Sequence, residues 1–85
     1  MAQPFTMPKF GQTMEEGRVV RWLKQEGDPV AKGEALLEVE TDKAVLEAEA
    51  DVAGRLLKIV AGPDQTLKCG AILAWIGQPG EIIPV

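Results

Sequence analysis

This 85-residue chain has no histidine and a single cysteine, Cys69. Histidine is the commonest general base, the commonest metal ligand and the usual partner of a nucleophilic serine or cysteine. One cysteine excludes an intramolecular disulfide and a cysteine metal cluster. We therefore expect no independent catalysis, no metal site and an inert thiol at Cys69.

Long apolar runs and clusters of basic residues are missing too. No apolar stretch approaches the roughly 20 residues that cross a bilayer, and residues 1–8 lack the basic and then apolar build of a signal peptide. The net charge is −4, and Lys and Arg are scattered singly instead of clustering as in nucleic-acid-binding proteins. We expect a soluble intracellular domain that binds no membrane and no nucleic acid and has proteins as partners.

The sequence does contain a repeat at an offset of 37 residues, within a chain of single-domain size. Residues 17–23 align with 54–60, basic residue against basic and apolar against apolar, and the match continues as far as Val39 and Ile76. Four glycines stand at matching positions of the two halves: Gly17, Gly33, Gly54 and Gly70. We predict that they turn the chain with a positive φ, and that the halves are related by a quasi-twofold axis.

Each half has a β pattern, because short runs of Val, Ile, Leu and Trp are bounded by Gly, Pro and Asp. Ala and Glu in 44–50 favour helix by propensity, but they alternate with strand period, which puts Glu47 and Glu49 toward water. The predicted strands lie near 3–8, 17–24, 35–41, 44–50, 54–61 and 71–77. Since short hairpins must share a core, the fold class is all-β, a small sandwich or flattened barrel.

Asp42 and Lys43 fall between two predicted strands, where a tight hairpin would turn. A lysine there would be exposed on a rigid backbone, as an acceptor of covalent modification must be. Lysine amines are almost wholly protonated near neutral pH, so an activating enzyme would have to supply the acyl donor. Position alone favours an ordinary solvated lysine. The residues that flank Lys43 therefore have to show whether it is an acceptor of covalent modification.

Those flanking residues resemble a known family. Glu40-Thr41-Asp42-Lys43-Ala44 is similar to the lipoylation motif of lipoyl domains from 2-oxo acid dehydrogenase complexes, where the acceptor lysine lies between Asp and Ala. Residues 7–17, 22–24, 26–28 and 76–77 also have counterparts in that family, so the resemblance covers about residues 4 to 80. It implies a flattened barrel of two four-stranded antiparallel sheets, with lipoic acid amide-linked to Lys43 as N6-lipoyllysine.

For function, the resemblance implies an acyl-carrier domain with a swinging arm, from a dihydrolipoamide acyltransferase most like the pyruvate dehydrogenase type. Acetoin and branched-chain complexes stay open. A lipoate-protein ligase or lipoyl transferase would load the lysine. The arm would then serve a thiamine-diphosphate 2-oxo acid decarboxylase, the acyltransferase core and a dihydrolipoamide dehydrogenase. Such complexes imply bacterial cytoplasm or the mitochondrial matrix, with acyltransferase catalysis beyond residue 85.

In the resembling family, the loop after the first strand lies beside the modified lysine and helps the decarboxylase to recognise its own domain. The corresponding residues here are Phe10, Gly11, Gln12, Thr13, Met14, Glu15 and Glu16. We assign partner recognition to this loop as a surface, together with Glu40. For Phe10 or Met14 taken singly, an ordinary anchoring role is more common.

Two other carrier families are less similar. A biotinyl carrier domain of a biotin-dependent carboxylase also presents a hairpin lysine, but methionines flank it where this chain has Asp42 and Ala44. The carrier protein of glycine cleavage is longer. A third alternative is an unmodified protein-interaction β-domain, in which the motif at the turn would be a coincidence.

An enzyme would need paired carboxylates, such as Glu38 with Glu40 or Glu47 with Glu49, and an acidic outer face accounts for these pairs as well. Pro and Gly accumulate after the last predicted strand, as where a domain ends in a linker. We expect residues 1–80 to form the domain and 81–85 to begin a linker into a longer protein.

Overall fold

The computed structural model describes residues 2–9 and 14–81, which form eight β-strands. They are β1 (Gln3–Thr6), β2 (Glu16–Trp22), β3 (Pro29–Val30), β4 (Ala35–Glu40), β5 (Val45–Glu49), β6 (Gly54–Ile59), β7 (Thr66–Lys68) and β8 (Ile72–Gly77). The all-β prediction is confirmed, and six strands lie within two residues of their predicted ends. The described residues include no helix that could cross a membrane.

The strands form two antiparallel four-stranded sheets, ordered β1-β8-β6-β3 and β5-β4-β2-β7. Strands at the same place in the two orders are four apart in chain numbering: β1 with β5, β8 with β4, β6 with β2, and β3 with β7. The hydrogen bonds repeat as well: Gly27 N donates to Leu56 O at 2.6 Å, and Asp64 N donates to Val19 O at 2.7 Å, at the offset of the sequence repeat. The predicted sheets and quasi-twofold symmetry are therefore confirmed.

The residue pattern did not predict β3 and β7. They have two and three residues, too few for an apolar alternation to show. Both are edge strands, and they pair with β6 and β2 respectively. Turn residues precede both strands in the sequence: Gly27 and Asp28 before β3, and Gly62, Pro63 and Asp64 before β7. These segments are strands because they pair with a neighbouring strand, and not because of a local apolar pattern.

The core lies between the sheets and consists of their inward-facing apolar side chains. Leu36, Leu37, Leu56 and Leu73 are fully buried, and no polar or charged side chain among the described residues is buried. Trp75 is buried, whereas Trp22 is half-buried and donates Nε1–H to Ala61 O at 2.7 Å. Stability therefore comes from apolar packing, as the lack of a disulfide requires.

The turn prediction holds for Gly33 and Gly70, whose φ values are 87° and 91°. For Gly17 it is wrong, because this residue is buried inside β2 without a positive φ in the left-handed range. A Cβ there would lie 2.7 Å from Val39 Cγ1 and 3.0 Å from Met14 Cε. Close packing, and not a turn, is what requires a glycine at position 17.

Candidate functional site

The β4–β5 hairpin turns at Asp42 and Lys43. Thr41 N donates to Ala44 O at 2.8 Å and closes the turn, while Glu40 pairs with Val45 in the ladder. Asp42, Lys43 and Ala44 are all exposed. The structure thus places the lysine at the end of a hairpin, with its side chain accessible to a large partner.

Thr41 fixes the backbone of this turn through its side chain. Its Oγ1 accepts hydrogen bonds from Lys43 N at 3.3 Å and Ala44 N at 3.2 Å, and its hydroxyl donates to Ala44 O at 3.0 Å. Short hydroxyl side chains that bond the backbone two and three residues ahead form such turns. No role was predicted for Thr41, although a threonine two residues before a turn lysine is a signal for one.

Replacing Thr41 by Val should loosen the turn without unfolding the domain, because valine has a similar volume but cannot accept or donate these bonds. We expect a loss of about 1 kcal/mol in local stability and a roughly fivefold faster amide exchange at Lys43 and Ala44. Hydrogen–deuterium exchange followed by NMR measures this. Thr41→Ser keeps the hydroxyl and should exchange like the wild type, and equal rates in all three proteins would contradict this role.

Arg18 links the hairpin to the other half of the chain. Its Nε donates to Glu40 Oε1 at 2.8 Å and its Nη1 to Asp64 Oδ1 at 2.7 Å. The hydrogen bond from Arg18 to Glu40 is the main cause that raises the pKa of the Arg18 guanidinium. These exposed ion pairs contribute little to global stability, but they fix where the Glu40 carboxylate lies beside the turn.

Asp64 holds this network from an unusual backbone conformation. Its φ is 69°, and the residue at the matching position of the first half is Gly27, with φ 94°. Aspartate tolerates the left-handed region better than most side chains, at a modest cost in strain. A carboxylate therefore stands where the other half has a glycine, and it binds Arg18.

A groove of about 450 Å³ lies beside the hairpin. It is lined by residues 14–18 and by Glu40, Thr41, Asp42 and Thr66. The structure thus brings Met14, Glu15 and Glu16 of the proposed recognition loop next to the turn that bears the lysine. The other proposed loop residues lie outside the described residues: Phe10, Gly11, Gln12 and Thr13. The recognition role stays a prediction.

Two pairs of glutamates were considered as possible catalytic pairs. Glu38 and Glu40 bind arginines, and Glu47 and Glu49 are exposed to solvent. Glu38 Oε1 accepts from Arg21 Nε at 3.0 Å, and Glu40 is held by Arg18. Glu47 and Glu49 are exposed on the edge strand β5, as predicted. Within residues 2–9 and 14–81, no group of three or more potential ligands is placed to hold a metal ion.

Comparison with known proteins identifies relatives of this β-domain. A family model named Biotin_lipoyl, described as "Biotin-requiring enzyme", matches residues 3–76. The chain is 56% identical over 69 residues to the dihydrolipoyllysine-residue acetyltransferase component of an acetoin cleaving system from Pseudomonas putida. It is 49% identical over 81 residues to the corresponding component of the pyruvate dehydrogenase complex of Mycobacterium bovis.

These matches cover 81% and 95% of the chain but only 19% and 15% of the two relatives, so the chain spans less than a fifth of their length. Among solved structures, the chain is similar to the solution structure of the lipoyl domain of the 2-oxoglutarate dehydrogenase complex from Azotobacter vinelandii. That match has a TM-score of 0.70 and 30% identity, and it covers 91% of this chain and 98% of that domain. The names of the two sequence relatives and of the structural neighbour all refer to lipoyllysine or to a lipoyl domain.

Proposed function

The chain belongs to the family of biotin- and lipoyl-attachment domains, and on this premise we propose that it is loaded with lipoic acid on Lys43 and acts as an acyl carrier. The observation that carries the proposal is an exposed lysine at the end of a closed hairpin, between Asp42 and Ala44. When bound, lipoic acid supplies a dithiolane that takes up acyl groups and reducing equivalents. The domain itself supplies no catalytic residue in this proposal.

The residues around the lysine suit an acceptor of an activated acyl group. Thr41 holds the backbone on both sides of the turn, so the amine is presented from a fixed base. Asp42 and Ala44 are exposed and are available for a modifying enzyme to recognise. None of the ion pairs in the described part of the chain involves Lys43, so its amine need not be released from a carboxylate first.

The relatives suggest the assembly in which such a carrier works. Because they are acyltransferase components, we propose that the parent protein is a dihydrolipoamide acyltransferase and that this domain serves its core, a 2-oxo acid decarboxylase and dihydrolipoamide dehydrogenase. Covalent tethering raises the local concentration of the arm at each active site. Pyruvate and acetoin complexes both occur among the relatives. For the location we propose bacterial cytoplasm or the mitochondrial matrix, and the bacterial and mitochondrial sources of the relatives are compatible with either.

Intact mass tests the loading directly. The domain is incubated with lipoate, ATP and a lipoate-protein ligase, and in parallel with biotin, ATP and a biotin ligase. We expect the mass of one lipoyl unit in the first reaction and none of biotin in the second. A biotin adduct instead would favour the biotinyl alternative, which the family model also includes, and no adduct in either reaction would favour an unmodified interaction domain.

The flanking residues should select the cofactor. Changing Asp42 and Ala44 together to methionine keeps the Thr41 bonds to the backbone but replaces the exposed side chains beside the lysine. We expect the double variant to gain biotin in the ligase reaction. The matched control changes Glu47 and Glu49 to methionine, on the same hairpin but away from the turn, and it should gain none. If the Asp42 and Ala44 variant stays unbiotinylated, selection lies elsewhere on the surface.

A further inference from the structure

We propose that the outer face of the β1-β8-β6-β3 sheet is a docking surface for an acidic segment of another protein chain. The segment would supply the carboxylates that Arg55 and Lys58 lack on this face. The Lys43 hairpin joins β4 to β5 and therefore belongs to the other sheet. Docking does not require that Lys43 is loaded, so it is independent of the proposed carrier role.

Basic residues occupy the same places in the two halves of the chain. At the repeat offset of 37 residues, Arg18 corresponds to Arg55 and Arg21 to Lys58. The strands that carry them, β2 and β6, hold the same place in the two sheet orders. On each strand a register shift lies between the two basic residues, so that both project from one outer face although they are three residues apart. The fold thus gives each half the same pair of outward cations.

The carboxylates that bind such a pair occur in only one half. Three of them bind the arginines of β2: Glu38, Glu40 and Asp64. At the offset of 37 residues, their counterparts in the other half carry no charge: Trp75, Gly77 and Gly27. The second pair of cations has therefore kept its place in the repeat and has lost every carboxylate that neutralises the first pair.

The structure shows where Arg55 and Lys58 lie without these carboxylates. Both are exposed, and none of the ion pairs within residues 2–9 and 14–81 involves either of them. Arg55 Nη1 donates to a neutral acceptor, Gly27 O, at 3.0 Å. The carboxylate of Glu26 is bonded to the backbone, since its Oε2 accepts from Ile59 N at 2.8 Å. The two cations are thus available to a carboxylate from outside the domain.

Charge separates the two sheets as wholes. The strands β1, β3, β6 and β8 contain no acidic residue, and Arg55 and Lys58 are their basic residues. The strands of the other sheet contain five glutamates and three basic residues. The chain as a whole has a net charge of −4. A partner therefore meets a basic face on one side of an otherwise acidic domain.

Trp75 shapes the middle of this face. It pairs with Pro4 on β1 and with Lys58 on β6, and directly paired residues share a face of a sheet. Although Trp75 is buried, it does not belong to the core cluster between the sheets. The indole thus occupies the place of a carboxylate on the outer face and gives Lys58 no opposite charge. Aromatic and arginine side chains together are typical of protein interfaces.

The other half of the chain indicates what the occupant should look like. On β4, the two carboxylates that bind the arginines of β2 are two residues apart. In an extended segment, side chains at this spacing lie on one side and are about 7 Å apart. A long polyanion fits less well, because beyond the basic face it would meet the acidic remainder of the domain. We therefore expect a short protein segment with acidic residues at alternate positions.

Such docking leaves the attachment site accessible. The segment would cover the sheet that does not contain β4 and β5, so the hairpin with Lys43 stays free for a modifying enzyme or a partner active site. Exposed ion pairs are weak and are screened by salt, so the contact is transient. It can hold the domain within an assembly without stopping its movement between partners.

An NMR titration of this chain at low salt tests the proposal. The probe is a short blocked peptide in which glutamate alternates with alanine. We expect shifts at residues 55–58 and at Trp75, and none at residues 41–46. Lys58→Gln should weaken binding about threefold, and Lys58→Gln with Arg55→Gln about tenfold. The same peptide with glutamine in place of glutamate should not bind.

The matched control is Lys68→Gln, which removes the same charge from an exposed position on β7 of the other sheet and should bind like the wild type. No binding, or equal weakening by Lys58→Gln and Lys68→Gln, would overturn the proposal. Tighter binding of a single-stranded oligonucleotide or an anionic lipid vesicle at this face would exclude a protein segment as the occupant. Shifts that grow with the concentration of the domain alone would identify a second copy instead.

The ligase reaction separates this test from the test of the proposed function. Lys58→Gln should gain one lipoyl unit like the wild type, because Lys58 lies on the other sheet from the hairpin. A variant that is lipoylated but no longer binds the peptide supports docking at a separate surface. Loss of lipoylation in this variant would place Lys58 in the attachment surface and contradict the separation of the two sites.

Discussion

Replacing Lys43 by Arg should abolish lipoylation completely and leave the domain folded. Arginine keeps the positive charge, but its guanidinium is too weak a nucleophile at neutral pH to accept the activated acyl group. The side chain is exposed and belongs to no core contact, so we expect the melting temperature to stay within about 2 °C of the wild type. Intact mass after the ligase reaction and thermal unfolding by circular dichroism measure the two effects.

Another lysine provides the matched control. Lys68 is exposed on the short edge strand β7, away from the end of any hairpin, and Lys68→Arg should be lipoylated like the wild type. Lys24 is a poorer control because its Nζ binds Glu34 Oε2 at 2.9 Å. If Lys43→Arg still gains one lipoyl unit, peptide mapping will identify the true acceptor, and our assignment of Lys43 will be wrong.

The features that the sequence predicts are those encoded within short stretches or by the repeat. Alternating apolar residues between Gly, Pro and Asp identify strands, since side chains on a strand point alternately to its two faces. The offset of 37 residues predicts two equivalent halves, and both sheets follow it. Lys43 can be singled out because its turn and flanks are contiguous in the sequence.

The features that were not predicted depend on residues brought together by the fold. Arg18 meets Glu40 only through the register of β2 on β4, and Asp64 joins them across 46 residues of chain. The groove combines residues 14–18, the hairpin and Thr66, which no local pattern relates. Such contacts become visible only when strand register and sheet order are known.

Free lipoamide should be a far poorer substrate than the lipoylated domain for the cognate 2-oxo acid decarboxylase. Groups on the domain surface can add binding energy that positions the dithiolane for attack, which free lipoamide lacks. We expect kcat/KM for reductive acylation to be at least about 100-fold lower with lipoamide, which corresponds to about 2.7 kcal/mol of lost transition-state stabilisation. Equal values would mean that the domain acts only as a tether.

The acidic residues beside the turn should account for part of this difference. Glu15→Gln with Glu16→Gln removes two charges at the groove without changing side-chain size, and we expect kcat/KM to fall about tenfold at low salt. The matched pair Glu47→Gln and Glu49→Gln makes the same change in net charge on the edge strand β5, outside the groove. Because both pairs change the net charge equally, only specific recognition at the groove predicts a larger effect from the first pair. A similar fall in kcat/KM with both pairs would show long-range attraction by the acidic domain as a whole. Recognition would then not reside in the loop residues that the structure places beside the hairpin of Lys43.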